Sequence, residues 1–228
     1  MLIGPPGDPE VWLGVPHHAP IGVERIALER PEGSRIADEN AVLYALVCLE
    51  ALLAAGVQAR LAVASQARDH DPNKDPRSVY CQALWHQPAA LLVECHGAGS
   101  HAPHELELSA GANRRSDPLG FGQRLAEALG PGFHLAAQSE PGVRHGWILD
   151  ADQRAAPTQL RYPALRTRSL EAAAERGMAA FHLEAKLRFR SAGPRLGVPT
   201  PSGRRLGLAL ASAIRQQLPA RDGAHPMR

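Results

Sequence analysis

Residues 91–97 read LLVECHG. Three apolar residues suit the inside of a buried strand, and an acid, a thiol and an imidazole follow them at once. In a strand, residues i and i+2 share a face, so Glu94 and His96 point the same way and Cys95 points into the opposite core. Histidine is the commonest metal ligand, and a carboxylate on the same face can hold its ring in place. His17 and His18 follow a second apolar run, VWLGVP. Asp38 and Glu39 stand where a helical pattern begins, a position at which the helix dipole favours a carboxylate. Two imidazoles and one carboxylate make a zinc site with an open fourth position. His17, Asp38 and His96 can supply that set, with one ion per chain. Bound zinc brings the pKa of water to about 7. A separate carboxylate must then move protons, and Glu184, closing the run AAFHLE, is the candidate.

Each of these residues has a plainer use. A lone histidine after a strand is commonly structural, and one of the adjacent pair His17 and His18 must be spare. Glu184 also suits an exposed strand-end acid. HAPHE, with His101, His104 and Glu105, offers a competing metal cluster in a loop without fixed geometry. Arg114 and Arg115, in GANRRSDP, suit a solvated turn or a contact with a substrate carboxylate.

The elements that must position these groups follow from periodicity. Strands are expected at VWLGVP, VQARLAVA, AALLVEC, FHLAAQ, GWIL and MAAFHLEAKL. A helix is expected from about Asp38 to Ala55, with a stripe at Val42, Leu46, Leu49 and Leu53 and a stop at Gly56. RSVYCQALWHQ and SLEAAAER read as shorter helices. Asp117 and Pro118 open another as N-cap and first helical residue, and Gly130 closes it. Thr200 and Pro201 cap a last helix through Leu206, Leu210, Ile214 and Leu218. Strands alternating with helices predict a three-layer α/β/α fold with a mixed, largely parallel central sheet. In such sheets ligands bind at the carboxyl ends of the strands. His17, the segment DPNKDP, His96 and Glu184 all fall there on this reading.

Length and composition bound the rest. The 228 residues suit a single domain, with a core over about 11–218 and a frayed tail at RDGAHPMR. A net charge of +2 gives no field that points to nucleic acid or an anionic membrane. The basic stretches RYPALRTR and GPRLGVPTPSGRR carry little aromatic interleaving, which argues against a nucleic-acid surface. No apolar run is long enough to cross a bilayer, and the first residues lack the pattern of a signal peptide. Three widely spaced cysteines suit reduced thiols and a cytoplasmic location.

The order of motifs resembles the N-formylglutamate amidohydrolase family, relatives of the zinc carboxypeptidases. VPHHAP is similar to that family's opening Pro-His step, which places the first ligand at His17. RIADENAVLYAL resembles the segment with its metal aspartate, at Asp38, with Glu39 as the alternative ligand. HDPNKDP resembles its Asp-Leu-Asn-Arg-Pro motif, LLVECHG its acid-x-His segment, and AAFHLEAKLRFR its last strand with the catalytic glutamate. GANRRSDPLGFGQRLAEAL and GVRHGWI match intervening segments, and the likeness is collinear from about residue 11 to residue 190. It implies a zinc carboxypeptidase-like fold, one Zn2+, and hydrolysis of the amide of an N-acyl amino acid or a short peptide. It also implies that Asn73 and Lys74 hold the substrate carboxylate. Lys74 replaces the family's arginine and brings a point charge in place of a fork. A metallocarboxypeptidase acting on peptide C-termini and an inactive metal-binding relative are the alternative readings.

Overall fold

The computed structural model describes residues 1–19, 25–27, 34–36, 38–65, 71–99, 101–150, 156–190 and 198–219. The strands are β1 (Leu2–Ile3), β2 (Val11–Ala19), β3 (Arg25–Ala27), β4 (Ser34–Ile36), β5 (Asp38–Glu39), β6 (Ala59–Ser65), β7 (Leu91–Gly97), β8 (Leu106–Ser109), β9 (Leu135–Gln138), β10 (His145–Leu149), β11 (Ala156–Gln159) and β12 (Ala179–Ala185). The helices are α1 (Ala41–Ala54), α2 (Val79–His86), α3 (Pro118–Leu129), α4 (Arg168–Glu175) and α5 (Pro201–Gln217).

One mixed sheet runs in the order β1-β6-β2-β7-β12-β8-β9-β10-β11, with β5 beside β2. Its centre, β6-β2-β7-β12, is parallel. β8 enters antiparallel to β12, while β1, β10 and β11 are antiparallel to their neighbours. Helices α1, α3 and α5 cover one face, and α2 and α4 the other. This is the three-layer α/β/α architecture with a mixed sheet.

The larger core joins Leu13, Val93, Cys95, Phe181 and Leu183 to the inner sides of α1, α3 and α5. Phe121 and Phe181 stack there, with ring centroids 4.2 Å apart. The smaller core holds Trp12, Leu92 and Ala180 under α2 and α4. Caps were readable in advance: Asp117 accepts from Gly120 N at 2.9 Å, and Thr200 from Gly203 N at 2.8 Å.

Several boundaries differ from expectation. α1 starts at Ala41, and Asp38 and Glu39 form a two-residue strand before it. Asn40, buried and left-handed at φ 56°, makes the turn between them. The expected stripe on α1 is buried at Val42 and Leu49 and packs on the core at Leu46, but Leu53 is exposed, and Ala41, Ala45, Cys48 and Leu52 widen the buried face. β7 runs on to Gly97, so His96 lies within the strand and not past its end. β8, in HAPHELELS, is a strand that periodicity alone did not reveal.

Candidate active site

The three central strands carry the site on alternate residues. The register aligns Gly14, Glu94, His182 and Ser109 across β2, β7, β12 and β8, and places His96 beside Glu184 and Glu107. Below these rows, toward the amino ends, the same face is apolar: Trp12, Leu92 and Ala180. The polar rows lie at the carboxyl ends, where a cavity of about 300 Å³ opens. It is lined by His17, Asn73, Lys74, His96, His182 and Glu184, with Gly97, Gly99, Tyr162, Ala164, Arg166 and Thr167 completing the wall.

β2 is irregular between Val15 and His18, with one residue more than β6 opposite it. Val15 belongs to the α1 side, yet His17, two residues on, lines the cavity. The extra residue breaks the strict alternation and re-aims His17. His17 Nε2 lies 2.7 Å from Asp71 Oδ1, and Lys74 Nζ lies 2.9 Å from Asp71 Oδ2. Burial would raise the Asp71 pKa, but His17 and Lys74 outweigh it and hold the carboxyl well below its usual range.

His96 is the centre of a ring cluster. His182 stacks on it at 4.0 Å between centroids, and His17 meets it edge-on at 5.0 Å. Glu94 Oε2 lies 3.6 Å from His96 Nε2 and 3.7 Å from His182 Nδ1. Tyr80 donates its hydroxyl to Glu94 Oε1 at 2.7 Å. Gly14 is required here, because a Cβ on it would stand 1.9 Å from the Tyr80 hydroxyl oxygen. Burial pushes the Glu94 carboxyl up, but the imidazoles of His182 and His96 prevail and keep it ionised far into acid. Burial, reinforced by Glu94, pushes the Tyr80 hydroxyl up, so it stays a donor. From the opposite face, Tyr44 donates to the His96 carbonyl at 3.1 Å and fixes the strand backbone.

His182 Nε2 lies 3.0 Å from Glu184 Oε1. Glu184 Oε2 is buried and has no hydrogen-bond partner among the described residues. Glu107, next to Glu184 in register, accepts from Tyr162 N at 2.8 Å. Burial raises the Glu107 pKa, and the neighbouring Glu184 adds to the rise.

The donor set suits a divalent cation. Glu94, His96 and His182 each offer one ligand atom, and these lie within 4.8 Å of one another. Glu94 Oε2 and His182 Nδ1 are buried without a hydrogen bond among the described residues. A carboxylate oxygen and an imidazole nitrogen 3.7 Å apart are satisfied by a proton or a cation between them. The His17–Asp71 contact engages Nε2 of that ring, and a carboxylate behind an imidazole fixes its orientation. The side chains of Asp38 and Glu39 lie outside the described residues, and the backbone puts Asp38 beside His18.

The structure places His17, Asn73, Lys74, His96 and Glu184 on one cavity, with Glu94 beside His96. It separates Arg114 and Arg115 from them. Both are exposed, and their segment is tied to the amino end of β12 by Asn113 Nδ2 to Met178 O at 3.1 Å and Ser116 Oγ to Ala180 O at 2.9 Å. Because β8 runs antiparallel to β12, the chain leaving it arrives at the end of the sheet remote from the cavity. The HAPHE residues disperse as well: His104 Nε2 bonds Thr158 at 3.1 Å, and Glu105 pairs with Arg188. Two cavity groups, His182 and Arg166, and the carboxylate behind His17, Asp71, were missed. His182 stands two residues from Glu184 on one strand face, the same i, i+2 signal that paired Glu94 with His96. Asp71 lay within DPNKDP without a role, and Arg166 lay within a stretch read only as basic.

No family model and no curated protein matches the chain. Among solved structures it is similar to a metallo-carboxypeptidase from Burkholderia cenocepacia, at 15% identity and a TM-score of 0.49, over 94% of this chain and 59% of that one. A metallo-carboxypeptidase from Pseudomonas aeruginosa, solved in complex with (2-guanidinoethylmercapto)succinic acid, gives 17% identity and a TM-score of 0.43, over 93% and 58%. An N-acetylmuramyl-L-alanine amidase from Mycobacterium smegmatis gives 14% and 0.45, over 90% and 95%. The chain spans about three fifths of the length of the two carboxypeptidases.

Proposed function

We propose that the chain is a metal-dependent hydrolase of a small amide bearing a free carboxylate, an N-acyl amino acid being the substrate that the motif order favours. The observation that carries this reading is the convergence of His17, His96, His182 and Glu184 on one cavity at the carboxyl ends of parallel strands. His17, Asp38 and His96 would hold Zn2+, with Asp71 backing the first imidazole and Glu94 the second. The bound ion would supply Lewis acidity and a water of pKa about 7. Glu184 Oε1 is held by His182, which leaves Oε2 as the atom that takes the proton of the attacking water and passes it to the leaving nitrogen. Asn73 and the arginine on the wall orient the substrate.

A second ligand set, Glu94, His96 and His182, is favoured by Glu94 Oε2 and His182 Nδ1, which lie 3.7 Å apart, buried and without a hydrogen bond among the described residues. Metal analysis of two variants separates the sets. Under the first, His17→Ala loses the ion and His182→Ala keeps it; under the second, the outcomes reverse. Full occupancy in both variants contradicts both sets. No helix among the described residues is long and apolar enough to cross a membrane.

A further inference from the structure

The cavity wall carries two cations, Lys74 and Arg166. They are not equivalent. Lys74 is bound to Asp71 at 2.9 Å, and Asp71 is bound in turn to His17 at 2.7 Å. The Lys74 charge is therefore spent on a buried carboxylate that belongs to the site itself. Arg166, exposed on the cavity wall, has no carboxylate within ion-pair distance and no hydrogen bond among the described residues. An arginine in that state presents its planar fork to whatever enters the cavity, and a carboxylate is the group that fits the fork.

The segment that bears Arg166 is built to hold position. Tyr162 N donates to Glu107 at 2.8 Å, and Ser109 donates to the Tyr162 carbonyl at 3.3 Å. Thr167 N bonds the Ala164 carbonyl at 3.3 Å, and Ser169 N bonds the Asn73 carbonyl at 3.1 Å, which joins this wall to the DPNKDP turn. Ala164 is left-handed at φ 50°, a conformation that a residue with a Cβ rarely adopts. Its carbonyl packs over Gly111, where a Cβ would come within 2.7 Å. Strain of this kind persists where the surroundings over-determine the backbone, and it clusters at ligand-binding positions.

We infer that Arg166 reads the free carboxylate of the substrate, while Lys74 serves to hold Asp71 and His17. The inference rests on the proposed hydrolase reading and names the specificity residue of that cavity. It departs from the role that the motif resemblance gives to Lys74.

The test is calorimetric titration of the purified, metal-containing protein with glutarate and with its diamide, glutaramide. Wild type should bind glutarate at least about 10-fold more tightly than the diamide, the value of one charge-assisted contact. Arg166→Gln should abolish that preference and Arg166→Lys should keep part of it. Lys74→Met should retain it. An unchanged preference in Arg166→Gln, or its loss in Lys74→Met alone, overturns the assignment. Absence of any preference in wild type overturns it too. None of these outcomes alters the metal content on which the hydrolase reading is tested, so the two fail separately.

Discussion

The two faces of β2, β7 and β12 are made from alternating residues of the same three strands, yet they differ completely. Toward α1, α3 and α5 every layer is apolar, from Leu13 and Val93 to Cys95, Phe181 and Leu183. Toward α2 and α4 the face begins with Trp12, Leu92 and Ala180 and then turns to Glu94, His182, His96 and Glu184. One face anchors the sheet along its full length. The other anchors it for half that length and gives the remainder to charged and imidazole groups. Burying those groups costs free energy unless each meets a partner. The contacts of Glu94 with Tyr80 and of His182 with Glu184 meet part of that requirement, and an ion would meet more of it.

The sharpest way to separate the faces is Glu184→Gln, which keeps size and polarity. Turnover of an N-acyl amino acid panel should fall by about 100- to 10,000-fold, with metal content and melting temperature preserved. Wild-type turnover would make Glu184 a strand-end acid. Phe181→Ala, one residue before His182 on the same strand, should do the opposite. It empties a stacked position in the larger core and should cost about 3–5 kcal/mol by denaturant unfolding. Metal content of the folded fraction should hold. Loss of metal without loss of stability would mean that the faces are not separable.

Asp71→Asn should have a smaller effect, about 1–2 kcal/mol at neutral pH, because its partners His17 and Lys74 are partly exposed. Its pH dependence is specific. The folded pKa of Asp71 lies below the unfolded value. The stabilisation is therefore full above the unfolded value near about 4 and is lost as pH falls through the depressed folded value. The stability gap between wild type and Asp71→Asn should be flat above about pH 5 and should narrow steadily as pH falls below about 4. A gap that persists at low pH would mean that the contact does not depend on the Asp71 charge.

Much of this arrangement could be read from sequence because it depends on local rules. Cap residues at Asp117 and Thr200 mark their helices, and the i, i+2 rule separates Glu94 and His96 from Cys95. What was missed depends on pairing between distant strands. β8 carries Glu107 between two leucines, and nothing local announces that it enters antiparallel beside β12. That reversal sends Arg114 and Arg115 to the far end of the sheet. It also brings Glu107 under Tyr162, so that the segment ending at Arg166 is anchored over the cavity. The irregularity of β2 that turns His17 inward is equally invisible, because the alternation rule assumes an unbroken ladder.

His96 is common to both ligand sets, so metal content in wild type and His96→Ala decides whether the cavity is a metal site at all. About one divalent ion per wild-type chain is expected for a catalytic site of this donor type. His96→Ala should lose that ion, with the fold intact by circular dichroism. A metal-free wild type after purification without chelators and addition of zinc, or full occupancy in His96→Ala, would contradict a metal site there.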